Sequence, residues 1–303
     1  MQDNNTITNS TSFVLASKVK DYFLLTKFTL SFMVVFSSVV SYLLVPTVSF
    51  ELTSVLLLFA GGMLVTGSAN TINQVLEKET DAMMKRTAGR PVASGRMKAG
   101  EAWMFAAITA ACGLYIMYTF SMESALLSFV SLVIYGFVYT PLKKKNSIAV
   151  LVGALPGALP CLIGWTAGFT EGIHDWTGGW ILFSIQFLWQ FPHFWAIAWV
   201  AHGDYSKAGF KLLPSDKGPT KFTALQTIIY STLMIPVGLL PMMFHISGMV
   251  SMWILLASNM FMVLMSINLF IKMDVGSARR VMFSSYIYLM VVFLSLYADK
   301  YHP

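Results

Sequence analysis

Residues 52–81 read LTSVLLLFAGGMLVTGSANTINQVLEKETD, and the two halves of this segment carry the architecture and the chemistry. From 52 to 75 there is no charged side chain. At 1.5 Å per helical residue such a run crosses the roughly 30 Å apolar core of a bilayer, for which about 20 residues suffice. The run then ends abruptly in Glu77, Lys78, Glu79 and Asp81.

Runs of the same kind recur at 24–45, 101–119, 124–140, 147–168, 179–200, 223–245, 250–271 and 280–298. With 52–75 they make nine, so the expected fold is all-α: a polytopic membrane protein with about nine transmembrane helices in one bundle. The composition agrees, with 56% hydrophobic and 11% charged residues against roughly 25% charged in soluble domains. Gly153, Pro156, Gly157 and Pro160 sit inside one run, as small and helix-kinking residues do where membrane helices approach closely. One domain is expected over 22–298. It is flanked by a polar tail at 1–21, which lacks the apolar stretch of a signal peptide, and a short tail at 299–303. Cys112 and Cys161 have no metal or redox spacing and read as buried free thiols.

Charge alternates between connections. Those after the second, fourth, sixth and eighth runs carry Lys78 to Lys98, Lys143 to Lys145, Lys207 to Lys221, and Lys272 with Arg279 and Arg280. The connections Pro46–Glu51, Phe120–Glu123, Phe169–Gly178 and Ile246–Met249 contain neither Lys nor Arg. Positive charge is retained on the cytoplasmic side, so the amino terminus and the basic loops are expected there and Lys300 outside. The net charge of +6 thus reports topology and not nucleic-acid binding.

Two of the basic loops, 77–100 and 201–222, exceed the usual helix-to-helix connection of about 2–8 residues, and long loops tend to carry function. Asn73, Glu77 and Asp81 are spaced i, i+4, i+8. If the helix continues, successive members rotate by about 40° and rise about 6 Å, which lines their oxygens along one stripe. Hard oxygen ligands so arranged suit Mg²⁺ together with substrate phosphate; equally, they fit solvated helix-end acids balanced by Lys85, Arg86 and Arg90. The second loop offers Asp204, Lys207 and Lys211 at the same membrane level. Two acidic clusters with cations, facing an apolar bundle, suit an amphiphile with a diphosphate head.

The string Asn73 to Pro91, N-x-x-x-E-x-x-x-D-x-x-M-x-R-T-x-x-R-P, resembles the first acidic motif of the UbiA superfamily of intramembrane prenyltransferases, and more narrowly its protohaem-farnesylating branch. Tyr139-Thr-Pro-Leu-Lys143, Gly157-Ala-Leu-Pro160, Gln190-Phe-Pro-His193 and Asp204-Tyr205 through Gly209 to Pro214 agree with it. The family usually has Asp at position 77 and an acid at position 203; here Glu77 and Gly203 stand there, leaving Asp204 as the second motif's sole carboxylate.

The resemblance implies transfer of a farnesyl group from farnesyl diphosphate to the 2-vinyl group of haem b, with Mg²⁺ as cofactor on Asn73, Glu77, Asp81 and Asp204. Arg86, Arg90, Lys143, Lys207, Tyr139 and Tyr205 would bind substrate, although the Lys143 to Lys145 run is first a topogenic loop. His193, inside an apolar run, reads either as a paired core histidine or as a haem contact, imidazole being a common haem ligand. A multi-pass cell-membrane location, a cytoplasm-facing site and a haem A synthase partner also follow from the resemblance. Prenylation of an aromatic quinone precursor, or a transporter, are the competing functions; the acids lie at one membrane face, not at the midplane where transporters bind.

Overall fold

The computed structural model describes residues 17–169, 174–215 and 217–301. Most of the tail expected at 1–21, together with His302, lies outside these residues; Ser17 to Asp21 form the first turns of a helix.

Among the described residues every extended element is helical. Helix α1 (Ser17–Thr26) meets α2 (Phe28–Leu44) at 47°. Then come α3 (Leu52–Leu76), α4 (Lys78–Met83), α5 (Ala99–Phe120) and α6 (Met122–Val133), the last continuing through a π-helical stretch (Ile134–Tyr139) into α7 (Thr140–Leu142). The second half comprises α8 (Ala149–Ala167), α9 (Thr177–Val200), α10 (His202–Lys207), α11 (Lys221–Val237), α12 (Leu240–Met243), α13 (Met249–Lys272) and α14 (Val275–Ala298). Seven helical segments are long and apolar enough to cross a membrane, and the bent α1–α2 pair makes an eighth. The remaining expected run is α9, a 24-residue helix whose Gln186, Gln190 and His193 dilute its apolar character. The protein is a multi-pass membrane protein.

The helices pack as a closed ring, α2 against α3 and α14, with α8 between α2, α6 and α9. Helix α8 is the most enclosed, 78% of its apolar window being buried. Large apolar side chains point outward all round, Tyr115, Ile271 and Ile287 among the most exposed, as a lipid-facing surface requires.

Proline inside α8 removes amide donors, and a neighbouring helix supplies one replacement, while α9 adds further bonds to α8 carbonyls. Pro160 has no N–H for the Pro156 carbonyl, which instead accepts from Ser131 Oγ of α6 at 3.3 Å. Gln186 and Gln190 of α9 donate to the carbonyls of Gly157 and Ala154 at 2.8 and 2.9 Å. Tyr288 of α14 donates to Asn259 of α13, which donates to the Met234 carbonyl of α11. In a bilayer, where water cannot satisfy these groups, such side-chain bonds tie helices together.

At the bundle end away from the long basic loops, Lys300 inserts its ammonium among the carbonyls of Leu43, Val45 and Val48 at 2.7, 2.8 and 3.0 Å. That end is otherwise poor in cations, and this lysine is there because it satisfies the orphan carbonyls at the carboxyl end of α2.

Gly164 fixes how closely α2 and α8 approach, since a Cβ on it would overlap the Ser38 carbonyl oxygen. Gly164→Ala must push two main chains apart, so we expect a loss of about 1–3 kcal/mol or more, read as a lower unfolding temperature in detergent. Unchanged stability would show that the two helices separate freely.

Candidate active site

The end of α3 is not one continuous helix. The α-helix stops at Leu76, Glu77 takes φ −98° and ψ 12°, and α4 begins at Lys78. Yet Glu77 N–H donates to the Asn73 carbonyl at 3.0 Å and Asp81 N–H to the Glu77 carbonyl at 2.7 Å. The i, i+4 pitch therefore survives the break, and Asn73, Glu77 and Asp81 stay in register, each at most 4% exposed.

Each of the three receives a cation from a different segment. Lys27 Nζ donates to Asn73 Oδ1 at 2.9 Å. Lys143 Nζ lies 2.5 Å from Glu77 Oε1. Arg90 Nη1 donates to both oxygens of Asp81 at 2.7 and 2.6 Å. The Glu77–Lys143 contact is a charge contact only, because Glu77 Oε1 accepts no well-angled hydrogen bond. Asn73 Nδ2 donates to Thr140 Oγ1 at 3.1 Å, so the amide is oriented with its oxygen toward Lys27. Thr140 follows the π-helical stretch, whose extra residue per turn sets it opposite Asn73.

Lys27 occupies the break between α1 and α2 in a left-handed conformation, φ 47°, uncommon for a side-chain-bearing residue. Lys143 packs over the Tyr139 ring at 4.8 Å and the Phe210 ring at 5.2 Å. Its carbonyl accepts from the Lys211 amide at 2.7 Å, which joins the second long loop to the cluster. Arg86 completes the connection, donating to Tyr205 Oη at 2.6 Å while its guanidinium lies 4.8 Å from the centre of that ring.

Beneath the cluster lies a cavity of about 660 Å³ with mostly apolar walls. Tyr139, Tyr135 and Asn70 line it, as do Trp189, His193, Tyr286 and Leu289. Gly153 makes room for the Tyr139 ring, where a Cβ would lie 2.6 Å from its edge. A buried anion-receptive cluster over an apolar chamber suits a molecule with a charged head and a hydrocarbon body.

A family model for the UbiA prenyltransferase family matches residues 34–294. The chain belongs to the UbiA prenyltransferase family. It is 43% identical over 287 residues to a protoheme IX farnesyltransferase from Cytophaga hutchinsonii, covering 94% of this chain and 99% of that one. It is 38% identical to a protoheme IX farnesyltransferase from Christiangramia forsetii, covering 94% and 95%. Among solved structures, a digeranylgeranylglyceryl phosphate synthase superposes with a TM-score of 0.77 at 19% identity, covering 93% of this chain and 98% of that one. A UbiA homologue from Archaeoglobus fulgidus bound to GPP and Mg²⁺ gives 0.70 at 16%, covering 91% and 99%. At those identities the structural likeness concerns the fold. This UbiA protein is a prenyltransferase, and the transporter reading falls away.

Of the residues singled out in the sequence, the prenyltransferase fold unites Asn73, Glu77, Asp81, Arg90, Lys143 and Tyr139, and couples Arg86 to Tyr205. The Asp204 carboxylate, on α10, makes no hydrogen bond or ion pair among the described residues, and Lys207 is exposed. No three His, Cys, Asp or Glu side chains converge on one point among the described residues, so Asp204 does not join Glu77 and Asp81 in this structure. His193 faces the cavity and does not lie in the packed interior away from it. Lys27 was missed. Its signal was a single lysine within the apolar stretch LLTKFTLSF, which reads as a residue reaching for the membrane surface.

The donor set fits Mg²⁺: an amide oxygen and two carboxylates, with Glu77 Oε1 lacking a hydrogen-bond donor. Lys143 and Arg90 now pair with the two carboxylates, and Lys27 donates to the uncharged amide oxygen. A metal ion would take over that role and free the cations.

The Arg86–Tyr205 contact joins the two long loops, so a double-mutant cycle with Arg86→Met and Tyr205→Phe should give a coupling of about 1–2 kcal/mol in unfolding stability. Additive effects would show the loops to be energetically independent.

Proposed function

We propose that this prenyltransferase moves the farnesyl group of farnesyl diphosphate to the 2-vinyl group of haem b, with addition of water, giving haem O and diphosphate. The observation that carries this reading is the joining of the three-cation cluster to the apolar cavity below it. The names of the relatives, at up to 43% identity over nearly the whole chain, supply the acceptor.

Lys27, Arg90 and Lys143 can each turn from a carboxylate or amide oxygen to an oxygen of the diphosphate, with the Arg90 fork suited to two at once. The bond between the allylic carbon and its oxygen breaks with the electron pair leaving on diphosphate, and these fixed cations favour that charge as it develops. Mg²⁺ held by Asn73, Glu77 and Asp81, with Asp204 as a further candidate ligand, would add neutralisation of the leaving group. The Tyr139 ring sits between Lys143 and the cavity and positions the prenyl carbon below the charged cluster. The apolar walls keep water from the allylic cation until the vinyl π electrons form the new carbon–carbon bond. Water then adds to the resulting cation beside the porphyrin and gives up a proton.

The distribution of Lys and Arg supports nine spans in the cell membrane, counting α9, with the amino terminus and the site on the cytoplasmic side. The farnesyl-bearing product is poorly soluble in water, and a haem A synthase in the same membrane is the recipient this reading implies.

The test is to incubate detergent-purified protein with haem b, farnesyl diphosphate and Mg²⁺, with and without chelator, and weigh the haem by mass spectrometry. The expected product carries one farnesyl group plus water and is absent with chelator. Unmodified haem beside a prenylated quinone precursor would overturn the haem assignment and leave prenyl transfer standing. Asp81→Asn, which keeps shape and removes charge, should lower turnover about 100-fold or more; wild-type turnover would remove Asp81 from the site.

A further inference from the structure

The only nitrogen base on the wall of the cavity, among the described residues, is His193. Its ring is held on two sides: it stacks on Trp189 with centroids 4.7 Å apart and planes at 16°, and meets the Tyr286 ring edge-on at 5.0 Å. Trp189 is in turn fixed by its Nε1–H, which donates to the Ser285 carbonyl at 2.8 Å.

The hydrogen bonds determine which nitrogen carries the proton. His193 Nδ1 lies 2.7 Å from Ser285 Oγ. The single hydroxyl proton of Ser285 is directed at the Met282 carbonyl at 2.6 Å. Ser285 Oγ must therefore accept, so Nδ1 is the protonated nitrogen and Nε2 presents a lone pair. Nε2 has no partner among the described residues. Metal-bound histidines show this arrangement, in which the second ring N–H is spent on an acceptor that sets the tautomer and raises the basicity of the ligating nitrogen. Of the other polar groups on the wall, Gln186 and Gln190 donate to backbone carbonyls and Asn70 accepts from Tyr135, while hydroxyls such as the unpartnered Ser38 Oγ are poorer iron ligands than an imidazole nitrogen.

We propose that His193 Nε2 is the axial ligand to the iron of the acceptor haem, with Ser285 as the positioning residue that fixes its tautomer. This rests on the haem-acceptor reading given above. Ligation at one fixed point, on a ring locked by Trp189 and Tyr286, holds the macrocycle in one plane. Its vinyl-bearing edge, and not its iron, is then what meets the prenyl carbon near Tyr139.

The experiment binds haem to the full-length protein in detergent without farnesyl diphosphate, and records absorption, electron paramagnetic resonance and the ferrous iron–histidine stretch by resonance Raman. Wild type should show histidine ligation. His193→Gly should lose that signature and regain it when imidazole is added, with the imidazole-ligated haem co-eluting with the folded protein on size exclusion; haem that takes imidazole in the detergent alone would not co-elute. Ser285→Ala should keep haem ligated but lower the iron–histidine stretch and weaken haem binding about 10-fold. Met33→Leu, which removes a thioether on the same wall, should change neither. An unaltered spectrum in His193→Gly, with farnesylated haem formed once farnesyl diphosphate and Mg²⁺ are then supplied, would overturn the ligand assignment alone. Wild-type protein that gives no haem-bound spectrum and no farnesylated haem would overturn it together with the acceptor reading.

Discussion

Three cations and three acceptors at the basic end of α3 hold this structure together where it must also do chemistry. Lys27 reaches Asn73 from the break between α1 and α2, Arg90 reaches Asp81 from the loop after α4, and Lys143 reaches Glu77 from the segment after α7. The two carboxylates are tolerated this deep because each is paired with a cation, and removing one partner leaves the other uncompensated. Four chain segments are thereby constrained to meet. The second long loop is drawn in as well, through the Lys211 amide on the Lys143 carbonyl and Arg86 on Tyr205.

The same pairing explains how a strongly charged cluster can stand above an apolar cavity without substrate. Both acids of the cluster are paired with a basic side chain, Glu77 with Lys143 and Asp81 with Arg90. Under the proposed function, metal and diphosphate would exchange partners with groups that are already in place, with little reorganisation at the moment of reaction. The glycines beneath the cluster serve the same end. Gly153 admits the Tyr139 ring, and Gly157 leaves space for the Gln190 amide that caps a carbonyl of α8.

The membrane sets the remaining terms. A proline-broken helix is costly where no water can pair its carbonyls, yet α8 carries both Pro156 and Pro160 at the centre of the bundle. Ser131 offsets part of that cost from α6, and the further bonds from Gln186 and Gln190 to the Gly157 and Ala154 carbonyls fix how α9 sits beside the cavity. Gln186, Gln190 and His193 are also what make α9 less apolar than the other long helices. A polar helix face in a membrane bundle points inward, and here it points at the cavity.

The helical membrane fold is legible in the chain's own pattern, because apolar runs of about 20 residues have few other stable states in water or lipid. So is the first acidic stripe, since a spacing of four residues survives even the irregularity at Glu77 through two local backbone bonds. The family followed from strings such as Arg86-Thr-x-x-Arg90-Pro, which are local in the chain. The contacts that no local pattern reports are long-range ones. That Lys27 belongs to the site depends on a kink placing it against a residue 46 positions away. That Arg86 holds Tyr205 depends on two loops 119 residues apart. The state of His193 depends on Ser285, 92 residues further on. Periodicity and motif report what neighbours in sequence share, whereas a buried charge or an imidazole tautomer is set by whichever atoms the fold brings within about 3 Å.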